Sequence, residues 1–122
     1  MNIGKKIWAI AEGYIPAWST GGAPEFKSHE TACILNASKQ TANIEITIYF
    51  KDRKPSGPFK IIVEPERTLH LRFNDLKDPE KIPEATDYSS VFVSDVPVVI
   101  QHTRLDSRQA ENALLSTMAY GE

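Results

Sequence analysis

Four side chains near the C-terminal end of the chain have types and spacing suited to joint chemistry. They are His102, Arg104, Asp106 and Arg108, and they follow an apolar run that ends at Ile100. Alternate residues of a β-strand share a face, so an extended segment would present these four as one ionic row. Such a row could clamp an anionic or hydroxyl-rich ligand, or it could pair with carboxylates such as Glu12 and Glu30 in a buried network or a subunit interface. The sequence leaves both alternatives open.

Metal binding and covalent catalysis both lack a recognisable motif. His29 and Glu30 are neighbours, so a strand would point them to opposite faces and at most one could line a given pocket. The other possible metal ligands, which include His70, show no metal-binding spacing. There is no nucleophile elbow, phosphate-binding glycine loop or paired-carboxylate signature. We therefore expect a protein that is not an enzyme and that needs neither a metal nor a cofactor.

Aromatic residues near the N-terminus could supply the walls of a polar pocket. Trp8, Tyr14 and Trp18 lie in or beside the first predicted strand. Aromatic faces next to Arg, Asn and carboxylate groups are typical of sites for sugars and small polar metabolites. Trp8 fits a core position at least as well, because large aromatics dominate core burial. Trp18, in a loop rich in Gly and Pro, is the better candidate for a functional or interface contact.

Length and composition predict one ordinary globular domain covering residues 1–122. Of the 122 residues, 41% are hydrophobic and 25% are charged, and this composition argues against a disordered chain. No apolar run approaches the roughly 20 residues that a membrane-spanning helix needs, and no secretory signal is evident, so we expect a cytoplasmic protein. The net charge is -2 and the charged side chains are spread along the chain, which argues against nucleic-acid binding.

Period-two hydrophobicity dominates the chain and predicts an all-β protein. The clearest strand alternates Ile44, Ile46, Ile48 and Phe50 with polar residues. Predicted strands cover residues 7–12, 30–36, 44–50, 59–63, 68–73, 88–94 and 98–104. Short strands between frequent turns favour a single-domain antiparallel β-sandwich of about eight to nine strands. The C-terminal segment fits an amphipathic helix and a strand equally well, and periodicity does not decide between them.

Five separated phrases of the sequence closely resemble the sensory rhodopsin transducer family. They are WAIAEGYIP at residues 8–16, SHET at 28–31, IEITIY at 44–49, RFNDL at 72–76 and QHTRLDSRQA at 101–110. The resemblance implies a small soluble β-sandwich that forms a homotetramer without known catalysis, and it favours a strand at the C-terminus. It also implies a microbial rhodopsin as partner, met at its cytoplasmic face.

The same resemblance supports two functional hypotheses of different classes. The first is a non-enzymatic adaptor that relays a signal from a membrane photoreceptor. The alternative is a sensory domain that binds a small polar ligand, such as a sugar, without any rhodopsin partner. The candidate ligand-lining positions carried onto this chain are Trp8, Glu12, His29, Glu30, Asn74, His102, Arg104, Asp106 and Arg108.

Overall fold

The computed structural model describes residues 2–20, 27–109 and 113–122. Its strands are β1 (Lys5–Tyr14), β2 (His29–Asn36), β3 (Ala42–Phe50), β4 (Ser56–Val63), β5 (Arg67–Arg72), β6 (Asp87–Asp106), β7 (Ala113–Met118) and β8 (Tyr120–Gly121). A 3-10 turn at Phe73–Asp75 is the one helical element among the described residues. No helix in that part of the chain is long and apolar enough to cross a membrane. The predicted all-β, antiparallel sandwich is confirmed.

The 20-residue strand β6 belongs to both layers of the sandwich. The first layer has the order β4-β3-β6-β1-β8, while β5, β2 and β7 join the second half of β6 to form the other layer. All pairings are antiparallel. Because β6 passes from one layer to the other, residues at its far end are held between two sets of neighbouring strands.

The predicted division of this region into two strands, 88–94 and 98–104, is wrong. A proline inside a single 20-residue strand is unusual, since proline cannot donate a ladder hydrogen bond. In the structure Pro97 lies between Ser94, which pairs with Ile44 in the first layer, and Val99, which pairs with Leu35 in the second. The proline therefore falls where the strand changes layers and no donor is required of it.

The core lies between the layers and consists of residues that alternate along each strand. Its largest fully buried side chains include Phe59, Phe73, Phe92, Ile34, Ile46 and Ile100. The ring of Phe73 lies 5.5 Å from that of Tyr88 and 6.2 Å from that of Phe92, measured between centroids. Each such side chain contributes about 1.5–3 kcal/mol through burial. The inward row of β6 carries apolar residues and two buried serines, Ser90 and Ser94, as far as Ile100, and then continues with His102 and Arg104, so the core ends where the charged residues begin.

The C-terminal segment is a strand, as the family resemblance implied, and the helical alternative is wrong. β7 pairs with the end of β6, and β8 pairs with Trp8 and Ala9 of β1. All six residues of β7 are exposed. Residues 110–112, which the helical alternative also included, lie outside the described part of the chain.

Candidate functional site

A buried ion pair between Glu30 and Arg104 is the centre of the candidate site. The two residues are direct cross-strand partners on β2 and β6, so their side chains share the inner face of the second layer. Arg104 donates from Nε to Oε2 of Glu30 at 2.8 Å and from Nη2 to Oε1 at 3.2 Å. The Glu30 side chain is fully buried, and that of Arg104 is 20% exposed. This is the bidentate geometry in which a guanidinium binds a carboxylate most strongly.

Further contacts of the pair connect the two layers. The backbone N–H of Tyr14, on β1, donates to Oε1 of Glu30 at 2.9 Å. Nη2 of Arg104 also donates to Oε2 of Glu12, which lies on β1 like Tyr14. β1 belongs to the first layer and Glu30 and Arg104 pair within the second. The ion pair therefore fastens one layer to the other at this end of the sandwich.

Asn74 supports the pair from the 3-10 turn that follows β5. Its Oδ1 accepts from the backbone N–H of Glu30 at 3.2 Å, and its Nδ2 donates to the carbonyl of Ser28 at 3.1 Å. A side-chain amide can satisfy both a donor and an acceptor in this way. Asn74 therefore fixes the start of β2, and with it the position of the Glu30 carboxylate.

A bulge in β1 places Glu12 at the rim of this cluster. Ile10 pairs with Ser90 and Gly13 pairs with Tyr88, so β1 has one more residue than β6 between these pairs. Gly13 then occupies the inward position, where a Cβ atom would lie only 2.5 Å from the ring of Tyr88. Glycine is required here because the tyrosine ring lies against the backbone.

Three buried polar atoms near the ion pair have no hydrogen-bond partner among the described residues: Tyr88 Oη, Ser90 Oγ and His102 Nε2. Nε2 of His102 lies 3.3 Å from Oε2 of Glu30. Tyr88 and Ser90 were not among the residues selected from the sequence. Both residues occupy alternate positions of β6 in the same register as His102 and Arg104, so all four side chains share one face of the strand. That relation could be used only once residues 87–106 were known to form a single strand.

The surroundings of Glu30 and Arg104 stabilise the charged form of both side chains. Burial opposes ionisation of Glu30, but the contacts with His102, Arg104 and the Tyr14 backbone outweigh it and hold the Glu30 pKa below its usual value. The hydrogen bonds to Glu30 raise the pKa of Arg104 against the effect of burial. Burial, together with the negative charge of Glu30, raises the pKa of Tyr88 far above its ordinary range. Tyr88 therefore remains a neutral phenol.

Asp106 and Arg108 form a separate pair beside a cavity. Arg108 donates to Asp106 from Nε at 3.0 Å and from Nη2 at 2.7 Å, and its guanidinium lies 5.6 Å from the ring centroid of Tyr14. The cavity, of about 330 Å³, is lined by Trp18, Asp106, Arg108, Gln109 and Ala113. The indole of Trp18 is 58% exposed. The ionic row expected from the sequence is thus divided into two groups with different partners.

The loop that carries Trp18 is anchored by buried hydroxyl groups. Oγ of Ser28 lies 3.3 Å from the carbonyl of Trp18 and 3.1 Å from Oγ of Ser107. Thr20 donates from its backbone N–H to the Ser107 carbonyl at 2.6 Å. Ser28 and Ser107 are both buried. The exposed indole is therefore presented by a backbone that is fixed against β6.

The structure brings together five of the nine candidate ligand positions: Glu12, Glu30, Asn74, His102 and Arg104 are linked by contacts with Glu30 or Arg104. Asp106 and Arg108 lie beside the Trp18 cavity. Trp8 belongs to the core, where its Nε1 donates to the carbonyls of Lys5 and Val98, each at 2.9 Å. His29 points away from Glu30, with Nδ1 2.7 Å from the carbonyl of Lys27. A ligand role for the nine positions stays a prediction.

Within residues 2–20, 27–109 and 113–122, no three His, Cys, Asp or Glu side chains are grouped so that they could hold a metal ion. Two of these carboxylates, those of Glu12 and Glu30, both accept from Arg104. Their charge is directed at the guanidinium between them, which is the arrangement of an ion-pair network.

Comparisons with known proteins agree on one family. The family described as Anabaena sensory rhodopsin transducer matches residues 3–121. A solved structure of the Anabaena sensory rhodopsin transducer is 55% identical, with 84% of this chain and 99% of that chain covered and a TM-score of 0.78. The crystal structure of Thermotoga maritima 1070 is 38% identical, with 98% and 96% covered and a TM-score of 0.87. Among curated proteins, none matches. The chain belongs to the Anabaena sensory rhodopsin transducer family.

Proposed function

We propose that the protein is a non-enzymatic signalling adaptor, a cytoplasmic tetramer that relays a signal from a membrane photoreceptor of the microbial rhodopsin kind. The observation that carries the proposal is 55% identity over 99% of a chain that is itself a sensory rhodopsin transducer. That likeness covers 84% of this chain. The expected contact is with the cytoplasmic face of the receptor.

The geometry of the charged cluster supports an adaptor in preference to an enzyme. A general acid or base must come within hydrogen-bond reach of a substrate. Glu30 is fully buried, and its carboxylate already accepts from Arg104 and from the Tyr14 backbone. Arg104 in turn binds two carboxylates. The two central charges, Glu30 and Arg104, are therefore paired with each other and with their neighbours, which suits them to joining the layers.

The edge strand β7 supports self-assembly. Natural sheets protect their free edges with charges, prolines or very short strands. β4 has Pro58 and Lys60, β5 has arginines at both of its ends, and β8 has two residues. β7 has the sequence ALLSTM, without charge or proline, and it exposes Leu114, Leu115 and Met118. An unprotected apolar edge is the surface that a second copy of the chain would cover.

Light scattering after size exclusion tests the assembly. We expect a mass four times that of the 13.7 kDa chain. Leu115→Lys should produce smaller species, because it buries a charge in the interface. Ile62→Lys is the matched control on β4, since Leu115 is 64% and Ile62 61% exposed. A monomeric wild-type protein would refute the tetramer, and a tetrameric Leu115→Lys variant would remove β7 from the interface.

Calorimetric titration of a purified microbial rhodopsin in lipid nanodiscs tests the partner. The proposal predicts saturable binding at physiological salt, with several adaptor chains for each receptor. Empty nanodiscs of the same lipids are the control. Equal heats with and without rhodopsin would refute the receptor contact.

A second candidate function is sensing of a small polar ligand, favoured by the cavity of about 330 Å³ beside Trp18. An exposed, anchored indole next to an Asp–Arg pair is typical of sites for hydroxylated ligands. A thermal-shift screen with sugars and organic acids tests it, because a ligand that binds only the folded state raises the melting temperature. The shift should disappear in Trp18→Ala. A shift retained in that variant would exclude this cavity.

A further inference from the structure

The direction of each backbone N–H and C=O group along β7 follows from the register between β7 and β6. In an antiparallel pair of strands, opposite residues alternate between pairs that exchange both backbone hydrogen bonds and pairs that exchange none. The N–H of Ala119 donates to the carbonyl of Ile100 at 3.2 Å, in the register that pairs Met118 with Gln101. The odd-numbered residues of β7 therefore direct their backbone groups toward β6, and the even-numbered residues direct theirs away from it.

Three residues of β7 direct their backbone groups toward the free edge of the sheet: Leu114, Ser116 and Met118. Among the strands that the structure describes, β7 pairs with β6 alone, so these groups meet no second strand. A row of such groups is the template on which another strand adds. Neither charge nor proline blocks addition here, because the sequence of β7 is ALLSTM.

The outward groups are symmetric about Ser116. A two-fold axis through this residue would place Ser116 opposite Ser116 of a second copy, and Leu114 opposite Met118 of that copy. Each of these opposite pairs can exchange two backbone hydrogen bonds, so every outward N–H and C=O of β7 finds a partner. Any other antiparallel register of two copies leaves at least one of the three residues without a partner in β7.

We propose that two copies of the chain pair through β7 in this register, so that their second layers form one continuous antiparallel sheet. The order of strands across the contact would be β5-β2-β6-β7-β7-β6-β2-β5. The inference rests on the proposed self-assembly and names the contact that carries it. A two-fold contact closes after two chains, so a tetramer combines it with a second, different contact.

The side chains of β7 are compatible with a second copy as the occupant. Leu114 and Met118 are 66% and 56% exposed in the single chain, and the two-fold axis brings them side by side twice, which removes apolar surface from water. On the opposite face of the strand, Leu115 lies beside Thr117 of the second copy. No like charges meet, since β7 has none. Both copies therefore gain the same favourable contacts.

Disulfide formation tests the register, in a Cys33→Ser background that removes the one native thiol. Opposite residues that exchange hydrogen bonds have Cα atoms about 5.5 Å apart, within the range that a disulfide spans. Ser116→Cys should therefore form covalent dimers on mild oxidation. Leu114→Cys and Met118→Cys should not cross-link alone, because about 14 Å of strand separates each from its own counterpart. The two variants should cross-link with each other when they are co-expressed.

Ile62→Cys is the control for collisional cross-linking, since Ile62 is 61% exposed on β4. Cross-linking of Ser116→Cys at or below the level of this control would overturn the proposal, and so would self-linking of Leu114→Cys or Met118→Cys.

Light scattering on the same samples separates this contact from the proposed tetramer. A tetrameric mass without cross-linking at Ser116 would remove the β7 contact alone. A dimer that cross-links at Ser116 would support the contact and remove the tetramer. A monomeric wild-type protein would remove both.

Amide hydrogen exchange in the wild-type protein provides a measurement that needs no variant. In the assembled protein, the amides of Leu114, Ser116 and Met118 should exchange at least roughly tenfold more slowly than in an unstructured chain, the protection expected from one hydrogen bond. The amides of Leu115 and Thr117, which face β6, are the internal reference. Protection of these two, with exchange of the three outward amides at the unstructured rate, would overturn the proposal.

Discussion

Replacing Glu30 by glutamine should destabilise the fold by about 3 kcal/mol. Breaking a buried ion pair from one side costs about 3–5 kcal/mol, because the remaining charge is left without compensation. Glu30 is fully buried and receives two hydrogen bonds from Arg104 and one from the Tyr14 backbone. The lower end of that range applies, since Arg104 is 20% exposed and keeps Glu12 as a partner. For a domain of this size, about 3 kcal/mol corresponds to a fall of about 12 °C in melting temperature.

Urea unfolding and differential scanning calorimetry measure this difference, with all variants compared at one chain concentration because assembly contributes to stability. Glu12→Gln is the matched control. Its carboxylate binds the same guanidinium but its side chain is 67% exposed, so its loss should cost no more than about 1 kcal/mol. A change below about 0.5 kcal/mol for Glu30→Gln, the range of ordinary surface substitutions, would refute the role of the ion pair in joining the layers. So would equal effects of the two substitutions.

Three further predictions concern the same end of the sandwich. The Glu30 pKa is lowered in the folded state, so the stability contributed by its charge should be complete above the unfolded pKa of about 4.3 and should decline as pH falls through the folded pKa. In urea unfolding between pH 7 and pH 3, the free energy of unfolding of the wild type should approach that of Glu30→Gln only at acidic pH. A difference between the two proteins that stays constant with pH would contradict this. Gly13→Ala should lower the free energy of unfolding by about 1–3 kcal/mol, because its Cβ would lie 2.5 Å from the Tyr88 ring, and an unchanged urea midpoint would show that the bulge tolerates a side chain. Tyr88→Phe should be neutral or stabilising in the same assay, since the Tyr88 hydroxyl is buried without a partner in the part of the chain that the structure describes; a loss above about 1 kcal/mol would reveal a hydrogen bond of that hydroxyl.

Local patterns in the sequence were sufficient for the strands but not for the pairing of the charged residues. The alternation of Ile44, Ile46 and Ile48 is visible in five consecutive residues, and the strand Ala42–Phe50 follows from it. That Glu30 lies opposite Arg104 depends on the register of β2 and β6, which are 74 residues apart at this contact. Both alternatives for the ionic row were reasonable from the residues alone. The register places Arg104 opposite Glu30, whereas Arg108 pairs with Asp106, two residues earlier in the chain.

Two other differences arise from tertiary context. Pro97 normally marks the end of a strand, but here it coincides with the change of layers in β6. The segment at Ala113–Met118 has apolar residues on both faces, which fits a helix or a strand until the unpaired edge of β6 is known. In each case the deciding partner is remote in sequence.

The most direct test of the adaptor function is the affinity of the protein for a microbial rhodopsin in the dark and under illumination. A relay requires that the adaptor bind the two receptor states with different free energies, since a ligand with equal affinity for both states transmits nothing. Titration in nanodiscs should give dissociation constants that differ by about fivefold or more between the two conditions, the lower bound of typical allosteric coupling. Saturable binding with the same dissociation constant in darkness and in light would contradict the account.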